Sequence, residues 1–232
     1  MTMLDALTTG LPQLGLTLAE EQKKQLCAFG EAVVEQNKVM NLTAITEPEQ
    51  VAKLHLLDSI SLLTVADLRG KKMIDVGCGA GFPGVPVKIA CPEVQLTLLD
   101  SLGKRMNWLS VCLPQLGVEA ECVTARAEEA VADRRESYDV ATSRAVARLN
   151  ILLELTAPYV KVGGKVLAMK GMAAKEELQE AQNAVKKLGL KLHEVREFPV
   201  DGTAHTVLVF DKVSHTPPQY PRRYAKIKAQ PL

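Results

Sequence analysis

Apolar and polar residues recur along this chain with two different rhythms, and the change falls near residue 70. Before it the period is helical: Leu26, Phe29 and Val33 lie three and four positions apart, and Val51, Leu54 and then Leu57 or Asp58 repeat the pattern. Thr17-x-x-Glu20 and Thr46-x-x-Glu49 precede these runs as capping boxes, in which hydroxyl and carboxylate satisfy backbone N–H groups left free at a helix start. Residues 1–70 therefore read as a helical extension of two or three helices without a strand.

From residue 72 short apolar runs alternate with helical stretches. Residues 73–76, 94–100, 119–124, 138–143 and 164–170 predict strands, and 84–91, 102–116, 127–133, 149–159 and 173–188 predict helices. Such alternation predicts a parallel sheet covered on both faces. Residues 191–200 and 205–212 break it, with only Asp201, Gly202, Thr203 and Ala204 between them. A link that short cannot cross over, so these two strands form an antiparallel hairpin, giving seven strands in all. Residues 71–212 read as one α/β domain, and 213–232, with three prolines within 217–221 and no apolar period, as an extended tail.

Composition narrows the class. With 47% hydrophobic and 24% charged residues the chain is an ordinary globular one. No apolar run approaches the ~18 residues of a membrane span, and the N-terminus lacks the features of a signal peptide, which points to the cytosol and to no membrane partner. The 28 basic and 27 acidic residues exclude a protein that binds DNA or RNA by bulk charge, and 4 Phe, 4 Tyr and 1 Trp are too few for an aromatic RNA-stacking sheet. Five cysteines without a CxxC pair and four histidines at no zinc spacing predict reduced thiols and no metal site. The near-zero sum hides a gradient. Residues 1–70 carry 5 basic and 9 acidic groups, whereas 212–232 carry 5 basic and none acidic: Lys212, Arg222, Arg223, Lys226 and Lys228.

The sharpest local signal is Asp75-Val-Gly77-Cys-Gly79-Ala-Gly81-Phe82, between the first strand and a helix. Glycines suit a tight turn at a strand end where a ligand lies against bare backbone. A dinucleotide loop would carry a small residue where Phe82 stands, and Asp75 would repel a pyrophosphate. A ligand bearing an ammonium and a sulfonium fits better, so S-adenosylmethionine is expected rather than NAD. Asp100, 25 residues after Asp75 at the second strand's tip, can accept both ribose hydroxyls, and Ala127-Glu128 sits where an adenine ring would rest. Each acid can equally be a helix cap.

The blocks NLTAI (41–45), HLLDSI (55–60), DVGCGAGFPGVPVKI (75–89), LLDSLGKR (98–105), RAEE (126–129), SRAVA (143–147) and the final PRRYAKIKAQPL resemble the bacterial RsmG, or glucose-inhibited division protein B, family over nearly the whole chain. The resemblance implies a class I methyltransferase with a Rossmann-like, seven-stranded, mostly parallel sheet whose last strand is antiparallel. It implies methyl transfer from S-adenosylmethionine to N7 of a guanosine in 16S rRNA near the decoding region, with 16S rRNA or the small ribosomal subunit as partner and a monomeric protein. By position, Gly77 and Phe82 match the family's cofactor loop, Ala127 and Glu128 its adenine-side contact, and Arg144 a further cofactor-site residue. Cys78 departs from the small hydroxyl residue common there.

Guanine N7 carries a free lone pair, so its methylation needs alignment and exclusion of water but no general base. The chain lacks the Asn/Asp-Pro-Pro-aromatic element of amino-group methylases, having Ser143-Arg144-Ala145 in that place, and no cysteine follows Cys122 to act as a nucleophile. Arg144 is expected to hold the methionine carboxylate or guanine O6, or else to pair with Asp75 or Asp139. Asn41, His55, Lys170 and the tail cations Arg222, Arg223, Lys226 and Lys228 are RNA-side candidates, although Asn41 reads equally as a helix C-cap and His55 as a packed histidine. The rival readings are the same fold acting on a small molecule or protein, and a partner protein that senses S-adenosylmethionine without turning it over.

Overall fold

The computed structural model describes residues 1–200 and 203–232. Seven strands form one sheet in the order β3-β2-β1-β4-β5-β7-β6. They are β1 (Lys72–Val76), β2 (Gln95–Asp100), β3 (Glu121–Thr124), β4 (Tyr138–Arg144), β5 (Val160–Lys170), β6 (Leu190–Val200) and β7 (Thr203–Lys212). β1 to β5 run parallel, and β7 inserts antiparallel between β5 and β6. The hairpin is tighter than the sequence spacing suggests, because Thr203 and Ala204 pair with Val200 and Pro199. The expected turn residues Asp201 and Gly202 lie outside the described residues.

Because successive side chains point to opposite faces of a strand, the sheet divides the apolar residues into two cores. Met73 and Leu98 face one, and Ile74 and Leu99 face the other. The first is closed by α5 (Gly84–Ala90), α6 (Gly103–Gln115) and the N-terminal helices α1 (Met3–Gly10), α2 (Glu20–Met40), α3 (Pro48–Val51) and α4 (Asp58–Ile60). Leu26, Phe29, Val33 and Val51 are fully buried in this core together with Val85 and Leu109. The second core lies under α8 (Leu149–Thr156) and α10 (Gln182–Lys187), next to α7 (Ala127–Ala130) and α9 (Ala174–Glu180). The single helix expected over 173–188 is broken at Ala181, where α9 ends and α10 starts.

Two helix starts differ from their sequence signals. α2 begins after Ala19, with the Gln22 side chain accepting from the Ala19 N–H, so the Thr17 box is not used. Gln22 also donates to the carbonyls of Ile89 and Ala90 at the end of α5, and this tertiary tether fixes the start. At the second site Glu47 precedes Pro48, whose missing N–H suits the first helical position, and Glu49 pairs with Lys53 instead of closing the Thr46 box. A complete box forms where none was expected, between Thr2 and Asp5. Between α3 and α4 the chain widens into a π-helical stretch, Ala52–Leu57.

The C-terminal segment corrects the expectation of an extended tail. It docks on the body, and Tyr224–Ala229 forms a short helix, α11, with Ile227 buried. Tyr220 and Ile227 are buried with it, but they are isolated apolar positions that leave no period, and polar contacts anchor the segment. Glu154 on α8, 0% exposed, accepts from the backbone N–H of Arg222 at 2.9 Å, from its Nε at 2.8 Å and from its Nη2 at 2.6 Å. Arg135 donates to the Tyr220 carbonyl. Lys212, wholly buried, is held by Glu136, Thr216 and the Ala157 carbonyl.

Candidate active site

Parallel register brings the strands' carboxyl ends to one edge: Val76 lies beside Leu99, Asp100 beside Thr124, and Arg144 beside Met169. Strand order reverses between β1 and β4, and ligands of open α/β sheets bind outside this point. The glycine loop leaves β1 there. Gly77, Gly79 and Gly81 all have positive φ, at 72°, 57° and 94°. A Cβ on Gly77 would lie 2.4 Å from Val146 Cγ2, so the loop and the β4–α8 connection touch through bare backbone.

Two carboxylates fix this loop. Asp100 accepts from the Gly79 N–H at 2.9 Å and from the Leu102 N–H at 2.8 Å, yet still lines a cavity. Asp75 accepts from the Gly84 N–H at 2.8 Å, and its Oδ1 is buried without a partner among the described residues. Burial pushes the Asp75 carboxyl up to about 7, against the pull of the Gly84 N–H. Asp75 lies behind the loop and lines neither of the cavities at this edge. Cys78 is also buried, its thiol pushed up and its Sγ 3.7 Å from Met106 Sδ, so it is no nucleophile.

The cavities share Gly77, Arg105, Ala145 and Val146. One, of about 430 Å³, is lined by Asp100, Ala127, Glu128 and Tyr224. Glu128 is tied to Arg126 at 2.7 Å, and the Arg126 guanidinium stands 5.0 Å from the centroid of the Tyr224 ring. The other, of about 720 Å³, is lined by Thr43, His55, Asp58, Arg144, Lys170 and His205. The sequence candidates thus converge on these cavities, except Asp75 and Gly81, which line neither, Asn41, which is the exposed left-handed C-cap of α2, and the tail cations.

Arg144 pairs with neither of the acids, Asp75 and Asp139, that the sequence offered it. It donates to Asp58 Oδ2 at 3.0 Å and to the Leu54 carbonyl at 2.9 Å, and lies 5.2 Å from the centroid of Phe82. Asp139 is occupied by Lys161 and the Lys72 N–H instead. The π-helical stretch offers both the Leu54 carbonyl and, just beyond it, Asp58. His55 stacks on Phe82 at 4.8 Å, and Thr43 Oγ1 lies 2.8 Å from its Nε2. Burial, helped by Arg144, lowers its pKa to about 4, leaving the ring neutral at pH 7. Packed ring and cavity wall are therefore the same residue. Lys170 is held by Glu177 at 2.8 Å and by the Ala147 carbonyl.

Sequence reasoning missed Thr43, Arg105 and His205, and named Asp58 only as a helix-period position. A carboxylate at a position whose period calls for an apolar residue was the one available signal for Asp58.

Fold and site define the class: S-adenosylmethionine-dependent methyltransferases with a Rossmann-like sheet. The chain is similar in structure to the mitomycin 7-O-methyltransferase MmcR, with TM-score 0.59 and 17% identity over 80% of this chain and 60% of that one. It is also similar to M. jannaschii TYW2 in complex with AdoMet, with TM-score 0.52 and 13% identity over 64% of this chain and 72% of that one. The chain belongs to the rRNA small subunit methyltransferase G family, whose model matches residues 22–205. It is 44% identical to the ribosomal RNA small subunit methyltransferase G of Alkaliphilus metalliredigens (strain QYMF), over 97% of both chains. It is 43% identical to the protein of that name from Lactobacillus johnsonii, over 96% of both.

Proposed function

We propose that this protein transfers the methyl group of S-adenosylmethionine to N7 of a guanosine in 16S rRNA. The observation that carries this reading is membership of the rRNA small subunit methyltransferase G family, and the lining of the larger cavity agrees with it, since of its carboxylates and histidines only His205 keeps an open ring nitrogen. Asp58 is spent on Arg144 and His205, and Glu177 on Lys170 and the Leu149 N–H. His55 has both ring nitrogens engaged. An amino or hydroxyl target would have to lose a proton, and N7 does not.

The residues present fit the cofactor. Asp100 would accept from the ribose hydroxyls, Ala127 and Glu128 of the smaller cavity would border the adenine, and the backbone at Gly77, which both cavities share, would lie against the sulfonium end. Arg144 and Arg105 are the cations at the methionine end. When bound, the cofactor would supply an electrophilic methyl carbon for the N7 lone pair. The chain's own part is to align and to exclude water: Phe82 and His55 form a stacked wall, and Asp58 locks Arg144 in place. N7 sits in a groove of A-form RNA too deep for side chains, so the target is a loop or opened base.

Three tail cations are open to phosphate. Arg223, Lys226 and Lys228 are exposed on and beside α11, whereas Arg222 is engaged by Glu154. Replacing those three by alanine should lower the slope of log K against log salt for 16S rRNA by roughly 2, at about 0.7 for each phosphate that a cation no longer neutralises. An unchanged slope would free the tail of any RNA role. No helix among the described residues is long and apolar enough to cross a membrane, which accords with action on ribosomal RNA in the cytoplasm.

The function is tested by offering labelled S-adenosylmethionine with purified small subunits, naked 16S rRNA, protein extract and a metabolite pool. Label in 16S rRNA from either of the first two is expected. Label confined to a metabolite or protein, or binding without transfer, contradicts it.

A further inference from the structure

Within the sheet's interior β7 is the strand that runs against its neighbours. Its start therefore reaches the edge where the parallel strands end: Thr206 pairs with Lys170, and His205 precedes it. His205 lines the larger cavity, and its Nδ1 lies 2.8 Å from Asp58 Oδ1, on the carboxylate whose other oxygen holds Arg144. Its Nε2 has no partner among the described residues. Asp58 is 3% exposed, so this bond is sheltered from water and fixes the ring.

We propose that His205, oriented by Asp58, donates its Nε2–H to the carbonyl oxygen beside the attacked nitrogen of the target purine, and so selects guanine over adenine. This rests on the N7 reading above. Guanine presents two acceptors on that edge, N7 and O6, whereas adenine presents N7 and an amino donor. Most other polar groups lining the cavity are committed: Arg144 on β4 to Asp58, the Leu54 carbonyl and His55, His55 on the π-helical stretch to Thr43, Lys170 on β5 to Glu177 of α9, and Arg148 to Glu176 and Glu180. Two donors stay open, Arg105 on α6, which both cavities share and which stands at the methionine end, and His205 at the start of β7.

The donor exists only while the imidazole is protonated. With Nδ1–H directed at Asp58, the neutral ring would turn a lone pair on Nε2 toward O6. The hydrogen bond to Asp58 raises the His205 pKa from its ordinary value, against burial and the repulsion of Arg144. Substrate affinity is thus full below that pKa and is lost as pH rises through it. A cation beside O6 also opposes the positive charge that forms on the methylated ring. Loss of the donor should therefore appear in KM for RNA, not in kcat.

The test is a pH series of kcat and KM on 16S rRNA for the wild-type protein, His205→Ala and His205→Gln, with S-adenosylmethionine affinity measured alongside. In the wild type KM should rise toward alkaline pH while kcat does not fall. His205→Ala should raise KM roughly 10- to 100-fold at the acidic end of the series, the usual weight of a charged hydrogen bond, and remove the pH dependence. His205→Gln, whose amide donor does not titrate, should be equally flat but with a KM closer to the wild type. Should His205→Ala not fold, the His205→Gln series alone decides. A wild-type kcat/KM that climbs with pH, as for a general base, overturns the proposal, and so does a pH profile that survives in His205→Gln. Failure of the N7 reading itself would show separately, as a product other than 7-methylguanosine.

Discussion

Gly77→Ala should weaken S-adenosylmethionine binding by on the order of 100-fold or more while leaving the protein folded. The new Cβ would lie 2.4 Å from Val146 Cγ2, and Val146 borders both cavities, so relief of the clash pushes Val146 into the cofactor space. The positive φ of 72° adds strain of about 1 kcal/mol for a residue with a side chain. Gly15→Ala separates the two effects, since Gly15 has φ 67° and nothing within 4 Å of an added Cβ. That control should lower stability slightly and keep full affinity by calorimetric titration. Equal affinity in Gly77→Ala and the wild type would remove the loop from the cofactor site.

Glu154→Ala should be the most destabilising single change at the C-terminus. It leaves the Arg222 guanidinium, 15% exposed, without the carboxylate that takes two of its hydrogen bonds, and the Arg222 backbone N–H without its acceptor. Breaking a buried ion pair from one side costs about 3–5 kcal/mol, which for a domain of this size lowers Tm by roughly 6–20 °C. The loss is local in origin, because the pair anchors the segment that carries Tyr224. Trypsin should then cut at Arg222 and Arg223 far faster than in the wild type, and cofactor affinity should fall because Tyr224 no longer borders the smaller cavity. The double variant Glu154→Leu with Arg222→Met, which removes both charges at once, should recover most of the stability. If Glu154→Ala melts within about 2 °C of the wild type and resists trypsin equally, the tail is not held this way.

The sheet was legible because its signals are local. Runs such as 73–76 and 94–100 are short and apolar, each is followed by a helical period, and the four-residue gap at 201–204 allows only a hairpin. The glycine loop was legible for the same reason, since three positive-φ positions within five residues leave little choice but glycine. What escaped depends on contacts between distant residues. His205 enters the site only because β7 pairs with β5, and Asp58 only because a π-helical stretch turns it toward Arg144. The docked tail rests on Glu154 and Arg222, 68 positions apart, and a polar anchor leaves no hydrophobic period. The helix start at Glu20 was displaced from its Thr17 signal by the reach of Gln22 to α5.

The central claim, methylation of guanine N7 in 16S rRNA, is tested most directly on the RNA itself. A 7-methylguanosine ring is open to borohydride reduction, after which aniline cleaves the strand at that nucleotide. 16S rRNA from cells that contain the protein should be cut at one guanosine, rRNA from cells that lack it should not, and incubation of the latter with the purified protein and S-adenosylmethionine should restore the cut. Identical cleavage with and without the protein would contradict the account.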